Sequence, residues 1–134
     1  MAGRLVVNVD GGARGNPGPA AIAAVVSDTA GEVLLESAET IGEATNNVAE
    51  YRALLHGIER AKELGASELE LIGDSELVVR QVRGEYKVKQ EHLRPLHTRV
   101  LRELMDLDDW SIRHVRRDDN AAADALVNQA LDGA

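Results

Sequence analysis

Four acidic residues stand where a carboxylate could do more than face the solvent. Asp10 ends an apolar run, Leu5–Val9, that is typical of a strand buried on both faces, and Asp74 ends a second strand-like segment. Glu50 lies in the first turn of a long helical pattern, and Asp124 lies inside the last one. Because two unit charges about 4 Å apart repel by roughly 4 kcal/mol at an effective dielectric of about 20, four carboxylates in one cleft would require cations.

The composition limits which cations these acids could hold. The chain has no cysteine, which excludes a thiolate zinc site and a disulfide framework. Hard carboxylate oxygens favour magnesium or manganese, and two such ions, about 3.5–4 Å apart, stabilise the attacking and departing oxygens of a phosphodiester. The acids therefore indicate phosphoryl chemistry on a polyanion.

Each acid also has an ordinary structural explanation. Asp10 precedes a glycine pair and could be a turn residue, residues 47–50 fit a helix capping box, and Asp74 could be an N-cap before a serine. Asp124 could be one more exposed helix residue. Taken singly, each acid is better explained in this way, so the functional interpretation depends on all four reaching the same cleft.

The elements that must position the acids follow from hydrophobic periodicity. A helix between the third and fourth strands permits a parallel pair beside the first strand. The sequence predicts one α/β domain over residues 1–134, with a mixed five-stranded sheet, its first three strands antiparallel, and helices on both faces. The predicted strands are residues 5–10, 20–27, 32–41, 68–73 and 110–115, and the predicted helices are 48–64, 77–84, 93–105 and a last one that Asn120 or Asp119 caps and that reaches 131.

The distribution of charge along the sequence indicates whether the protein could bind a nucleic acid. The net charge of −8 argues against a nucleic acid, but residues 80–102 carry seven cations against two acids. The simpler interpretation of this run is a solvated helix face. With Tyr51, Tyr86 and Trp110 as the only aromatic residues, recognition of duplex shape is favoured over stacking on single strands.

Four sequence blocks resemble the signature blocks of type 1 ribonuclease H. They are Asp10–Ala20, Thr45–Tyr51, Gly73–Ser75 and Asn120–Leu126, in the family's order, and the similarity spans essentially the whole chain. The first two blocks are highly specific. The resemblance implies a ribonuclease H-like fold and endonucleolytic hydrolysis of the RNA strand of RNA/DNA hybrids with two Mg²⁺ ions, for which Mn²⁺ could substitute, leaving 5′-phosphate and 3′-hydroxyl ends.

The resemblance also implies roles for the acids. Asp10 would bridge both ions, Glu50 and Asp74 would complete one site, and Asp124 would hold the ion that activates the water. Glu50 would also lie close to the RNA 2′-hydroxyl group, the feature that separates RNA from DNA.

Further residues of the same blocks are expected to contact the substrate. The backbone of Gly11 and Gly12 could approach the RNA because no side chain intervenes. Asn16, Asn46 and Asn47 match the family's groove-contacting residues, although turn and cap roles would explain the three asparagines equally well.

Two departures from the family pattern matter. Well-studied bacterial members carry a histidine in a flexible loop before the last helix, whereas His114 falls in a predicted strand and is expected to be structural. The chain resembles a branch with arginine at that place, which assigns Arg117 to the scissile phosphate or to product release. The basic protrusion of some members has no room here, so Lys87 and Lys89 are the residues expected to hold the DNA strand.

Three rival functions share some of these features. A non-catalytic hybrid-binding module would gain nothing from four unpaired carboxylates, and a small-molecule phosphohydrolase would need a closed pocket. A resolvase-like, metal-dependent DNA nuclease would share the fold, and the glycine and asparagine blocks argue against it. The sequence has no apolar run of the roughly 18 residues that span a membrane, and we expect a cytoplasmic monomer.

Overall fold

The computed structural model describes residues 3–133, which form one five-stranded sheet surrounded by four α-helices. The sheet order is β3-β2-β1-β4-β5, with β1, β2 and β3 antiparallel and β4 parallel to both β1 and β5. This confirms the predicted fold class. The strands are β1 (Arg4–Ala13), β2 (Gly18–Ser27), β3 (Val33–Ala44), β4 (Glu68–Gly73) and β5 (Asp109–His114), and the helices are α1 (Asn46–Glu63), α2 (Glu76–Val82), α3 (Arg94–Met105) and α4 (Ala121–Asp132).

The central strand β1 is fully buried on one face only. Leu5, Val7 and Val9 are at most 1% exposed and belong to the main core, whereas Val6 and Asn8 are half-buried. The prediction of a strand buried on both faces was therefore wrong for this part of β1. Helix α1 packs against the first face, and α4 covers the other face mainly over β2, where Ala21 and Ala23 meet Val127 on α4 in a smaller apolar cluster.

Strand β1 also runs further than predicted. It continues through Gly11 and Gly12 to Ala13, and all four residues from Asp10 onwards pair with β2. On its other side β1 pairs with β4 only as far as Asn8. Asp10 therefore lies beyond the end of the β1–β4 ladder, at the edge of the sheet where the two parallel strands finish, and not in a turn.

The helix starts rule out two of the structural explanations for the acids. Thr45 is the N-cap of α1, its side chain accepting from the backbone of Val48, so Glu50 lies in the second turn and forms no capping box. Ser75, and not Asp74, caps α2. Within residues 3–133, no helix combines the length and the apolar character that crossing a membrane requires.

Candidate active site

Three of the four predicted acids converge at the carboxyl edge of the sheet. One carboxylate oxygen each from Asp10, Glu50 and Asp74 lies within 4.8 Å of the other two. The fourth acid, Asp124 in the first turn of α4, lines the same cleft, and its charge, like that of Asp74, raises the pKa of Asp10. The structure thus brings together carboxylates from β1, α1, the end of β4 and α4.

The convergence has local causes in the sequence. Parallel strands β1 and β4 end at the same edge, which places Asp10 beside Asp74, the residue that follows β4. Gly11 then lets α1 approach, because a Cβ atom at this position would collide with the carbonyl oxygen of Ala49. Glu50 is the next residue along the helix, so the close contact at Gly11 fixes its distance from Asp10.

Asn120 anchors the start of α4 to the central strand. Its Nδ2 donates to the carbonyl oxygen of Val9 at 2.8 Å, and its Oδ1 accepts from the side chain of Asn8 at 3.1 Å. The sequence predicts a capping role for Asn120 or Asp119; Asn120 does occupy the N-cap position, but its side chain makes no cap hydrogen bond. Instead, this residue, 2% exposed, holds the first turn of α4 and hence Asp124 next to Asp10.

The acids perturb one another strongly. Burial, followed by the neighbouring charges of Asp74 and Asp124, raises the pKa of Asp10 from 3.8 to about 8. Burial, followed by the charges of Asp10 and Asp74, also raises the pKa of Glu50 well above its usual range, against the opposing effects of the Gly11 backbone and of Arg117. Protons or cations must therefore neutralise part of this site.

The donor set fits a divalent cation. All the candidate ligand atoms are carboxylate oxygens, the donors that Mg²⁺ and Mn²⁺ prefer. Oδ2 of Asp74 is buried and has no hydrogen-bond partner within residues 3–133, an arrangement that a bound cation would satisfy. The acids lie in a cleft of about 420 Å³.

Comparison with known proteins agrees with this geometry. Residues 8–130 match the family described as reverse transcriptase-like. The chain is 46% identical to ribonuclease HI of Halobacterium salinarum over 98% of its own length and 66% of that protein. It superposes on the crystal structure of RNase H1 from this archaeon with a TM-score of 0.96, covering 98% of this chain and 100% of that one. The chain belongs to the type 1 ribonuclease H family.

Two further ribonuclease H relatives add to the comparison. The bifunctional protein Rv2228c of Mycobacterium tuberculosis is 44% identical over 98% of this chain but only 36% of its own length. LC11-RNase H1, solved in complex with an RNA/DNA hybrid, is 43% identical, with a TM-score of 0.92 and coverage of 96% of this chain and 97% of that one. The chain thus spans just under two thirds of the halobacterial relative and about a third of the mycobacterial one. Ribonucleases H depend on divalent metal ions, and the acidic cluster described above is present in this member.

Most of the residues predicted to bind the hybrid surround the acids. Those that line the cleft are Gly11, Gly12, Asn46, Asn47 and Arg117. Asn16 is not among the lining residues but contacts one of them: its Oδ1 accepts from the backbone of Asn46 at 3.0 Å, and Oδ1 of Asn46 accepts from the backbone of Ala13 at 2.9 Å. These amide oxygens therefore join the glycine-rich loop to the start of α1, a structural role that differs from the turn and cap roles the sequence left open. No hydrogen bond within residues 3–133 uses the Nδ2 groups of Asn16 and Asn46.

The basic residues predicted to hold the DNA strand do not line the acidic cleft. Lys87 and Lys89 are exposed and line a separate cavity of about 490 Å³ together with Leu77 and Tyr86. Part of the cationic run is neutralised, because Arg80 and Arg83 both pair with Glu85. The run is thus partly the solvated, ion-paired surface that its sequence suggests.

Of the two residues considered for the place before the last helix, Arg117 lines the acidic cleft and His114 does not. His114 lies in β5, as predicted; it is the last residue of this strand, and its side chain is exposed. Arg117 begins a short 3₁₀ turn, Arg117–Asn120, and reaches the cleft.

Sequence reasoning missed some residues of the cleft. Ser75, Asn128 and Arg14 also line it. The spacing could have indicated Asn128, because it lies four residues after Asp124 and therefore shares a helix face with it. Ser75 directly follows Asp74. Nothing in its local pattern distinguishes Arg14 from an ordinary loop residue.

Proposed function

We propose that this chain is an endoribonuclease that hydrolyses the RNA strand of RNA/DNA hybrids and leaves 5′-phosphate and 3′-hydroxyl ends. The observation that carries the proposal is the convergence of the Asp10, Glu50 and Asp74 oxygens within 4.8 Å. The hybrid-bound structure of LC11-RNase H1 supports the substrate class. We further propose that residues 1–134 act as a single ribonuclease H domain.

Asp10, Glu50, Asp74 and Asp124 would hold two Mg²⁺ ions, with Mn²⁺ as a possible substitute. Bound there, the ions would supply charge stabilisation for the attacking and departing oxygens of an in-line displacement. The protein fixes its four carboxylates before any ligand arrives, since they stand on β1, α1, the end of β4 and α4. The Gly11 backbone and the Arg117 charge both lower the pKa of Glu50 and so favour its charged carboxylate within the cluster.

The loop between β1 and β2 and the start of α1 would bind the hybrid beside the acids. The amide oxygens of Asn16 and Asn46 are used within the protein, which leaves their Nδ2 groups to donate to acceptors in the groove of the duplex. Asn47 lines the same wall of the cleft, and Gly11 and Gly12 add backbone that no side chain covers. Contacts of this kind read duplex shape rather than base sequence.

We assign Arg117 to the scissile phosphate or to product release, in a branch of the family where arginine replaces the loop histidine. Two observations support this assignment: its side chain lines the acidic cleft, and its charge lowers the pKa of Glu50. We also propose that the branch lacks the basic protrusion, so that the exposed Lys87 and Lys89 hold the DNA strand. Binding through so few cations should be weak and sensitive to salt.

One experiment separates this function from its rivals. Labelled RNA/DNA hybrid, duplex RNA, duplex DNA and a phosphomonoester are incubated with the protein, with and without magnesium, beside the Asp10→Asn variant. We expect magnesium-dependent cutting of the hybrid's RNA strand alone, and a variant that binds the hybrid without cutting it. Equal cutting of duplex DNA would favour the resolvase-like nuclease, and hybrid binding without product would favour the binding module.

A further inference from the structure

An ion pair lies at the edge of the acidic cleft, where Arg14 is one of the lining residues. A guanidinium nitrogen of Arg14 lies 2.7 Å from a carboxylate oxygen of Asp132, with 48% of the first side chain and 68% of the second exposed. Arg14 lies in the loop between β1 and β2, and Asp132 is the last residue of α4. Among the described residues that line the cleft, Arg14 and Arg117 are the two cations.

The backbone of Arg14 is held firmly although its side chain is half exposed. Its N–H donates to the carbonyl oxygen of Pro19 at 2.8 Å, and the preceding N–H, that of Ala13, donates to Asn46. On the other side its carbonyl oxygen packs against Gly18, where a Cβ atom would collide with it. Arg14 therefore combines a backbone held in place by these contacts with a long, half-exposed cationic side chain at the edge of the cleft.

Asp132 is a replaceable partner for this arginine. Exposed ion pairs contribute little to stability, because water screens them and both side chains lose rotamer freedom. The last turn of α4 contains no basic residue, so the Asp132 carboxylate faces the negative end of the helix dipole without another cation on its own helix. A phosphate, by contrast, offers a guanidinium group bidentate geometry and more negative charge.

We propose that Arg14 binds a backbone phosphate of the nucleic acid, and that Asp132 occupies its guanidinium group until that phosphate displaces it. The inference rests on the proposed function, since it takes the hybrid as the source of the phosphate. Four carboxylates make the cleft repel a polyanion, and Arg14 supplies attraction at its edge. Asp132 then acts as an internal competitor that weakens binding.

The test is a double-mutant cycle with Arg14→Gln, Asp132→Asn and the double variant, all in the non-cleaving Asp10→Asn background. The dissociation constant of a labelled hybrid is measured between about 50 and 200 mM salt. We expect Arg14→Gln to weaken binding several-fold and to reduce the slope of log K against log salt by about one. Asp132→Asn should tighten binding about two- to five-fold, and only while Arg14 is present.

Arg4→Gln is the matched control. Arg4 is also a partly exposed, ion-paired arginine, bound to Glu68 and Asp109, but it stands at the start of β1, away from the carboxyl edge of the sheet. It should not change the dissociation constant or its salt slope. Thermal melting of each variant shows that the fold is intact.

The outcomes distinguish the two proposals. If the protein with Asp10 intact cuts the hybrid, but Arg14→Gln and Arg4→Gln bind alike, the inference is overturned and the proposed function stands. Equal tightening by Asp132→Asn with and without Arg14 would also overturn it, because the acid would then act only through its general charge. If the protein with Asp10 intact neither binds nor cuts the hybrid, the proposed function fails, and the inference fails with it.

Discussion

Replacing Asp10 by asparagine should stabilise the metal-free protein at neutral pH. Burial, with the charges of Asp74 and Asp124, raises the pKa of Asp10 from 3.8 to about 8. At pH 7 the carboxyl group is therefore ionised in the unfolded chain but must take up a proton on folding. Asparagine has nearly the same shape and carries no charge, so it removes this cost.

The size of the effect follows from the pKa difference. Between 3.8 and pH 7 lie about three pH units, each equivalent to about 1.4 kcal/mol, which sets an upper limit of about 4 kcal/mol. Because water reaches one side of the cleft and the neighbouring carboxylates can shift, we expect an increase of about 2–4 kcal/mol in the free energy of unfolding.

The raised pKa of Asp10 also determines how the stability difference between the two proteins changes with pH. A carboxyl group whose pKa is higher in the folded state binds more protons there, so the stability of the protein with Asp10 falls as the pH rises from about 4 to about 8. The advantage of Asp10→Asn should accordingly vanish near pH 4, grow through neutrality and level off above pH 8.

Urea unfolding at several pH values in a chelator measures this advantage. Asp108→Asn, which changes an exposed acid outside the cleft, is the control and should show no such trend. Magnesium should then stabilise the protein with Asp10 more than the variant, since a ligand of the folded state adds stability in proportion to its occupancy. An Asp10→Asn variant that is less stable at pH 8, or whose advantage does not change between pH 5 and pH 8, would refute the electrostatic reasoning.

Three more substitutions test the other parts of the site. Arg117→Ala should lower turnover at least tenfold with little change in hybrid affinity, and unchanged turnover in steady-state kinetics would remove Arg117 from the mechanism. Substituting Lys87 and Lys89 together should weaken hybrid binding and reduce its salt slope by about two, whereas an unchanged slope would leave them as solvated surface. Asn120→Ala removes two hydrogen bonds and leaves the buried carbonyl oxygen of Val9 without this donor, so we expect a loss of about 2–4 kcal/mol in urea unfolding and lower activity through a displaced Asp124. A variant as stable and as active as the parent would contradict the anchoring role of Asn120.

Local sequence signals predicted the elements of this fold well. The alternating and apolar runs located all five strands, and the three- and four-residue spacing located the four helices, because the side chains that a strand or a helix buries recur with its own period. Several boundaries differ from those predicted. Strand β1 passes through Gly11 and Gly12 because pairing with β2 outweighs the turn preference of a glycine pair. The Thr45 cap starts α1 at Asn46, before the first apolar residue of the stripe.

The chemistry of the site could also be predicted in part from the sequence. The sequence singled out four acids, to which the resemblance to type 1 ribonuclease H gave metal-binding roles, and the structure places them in one cleft. The sequence could not show that Gly11 is required for the approach of α1, or that the oxygens of Asn16 and Asn46 accept hydrogen bonds within the protein. These are contacts between separate elements, and a periodic pattern carries no information about them.

The amino-acid sequence alone thus determined which segments form strands and helices, which residue types could bind a divalent ion, and to which family the blocks are similar. Only the tertiary structure decided the partners: Asn120 with Val9, Arg14 with Asp132, and the acids with one another. The physical reason is that such pairs join residues up to more than a hundred positions apart. Their distances depend on sheet order, register and helix packing, which the chain as a whole sets and no local window contains.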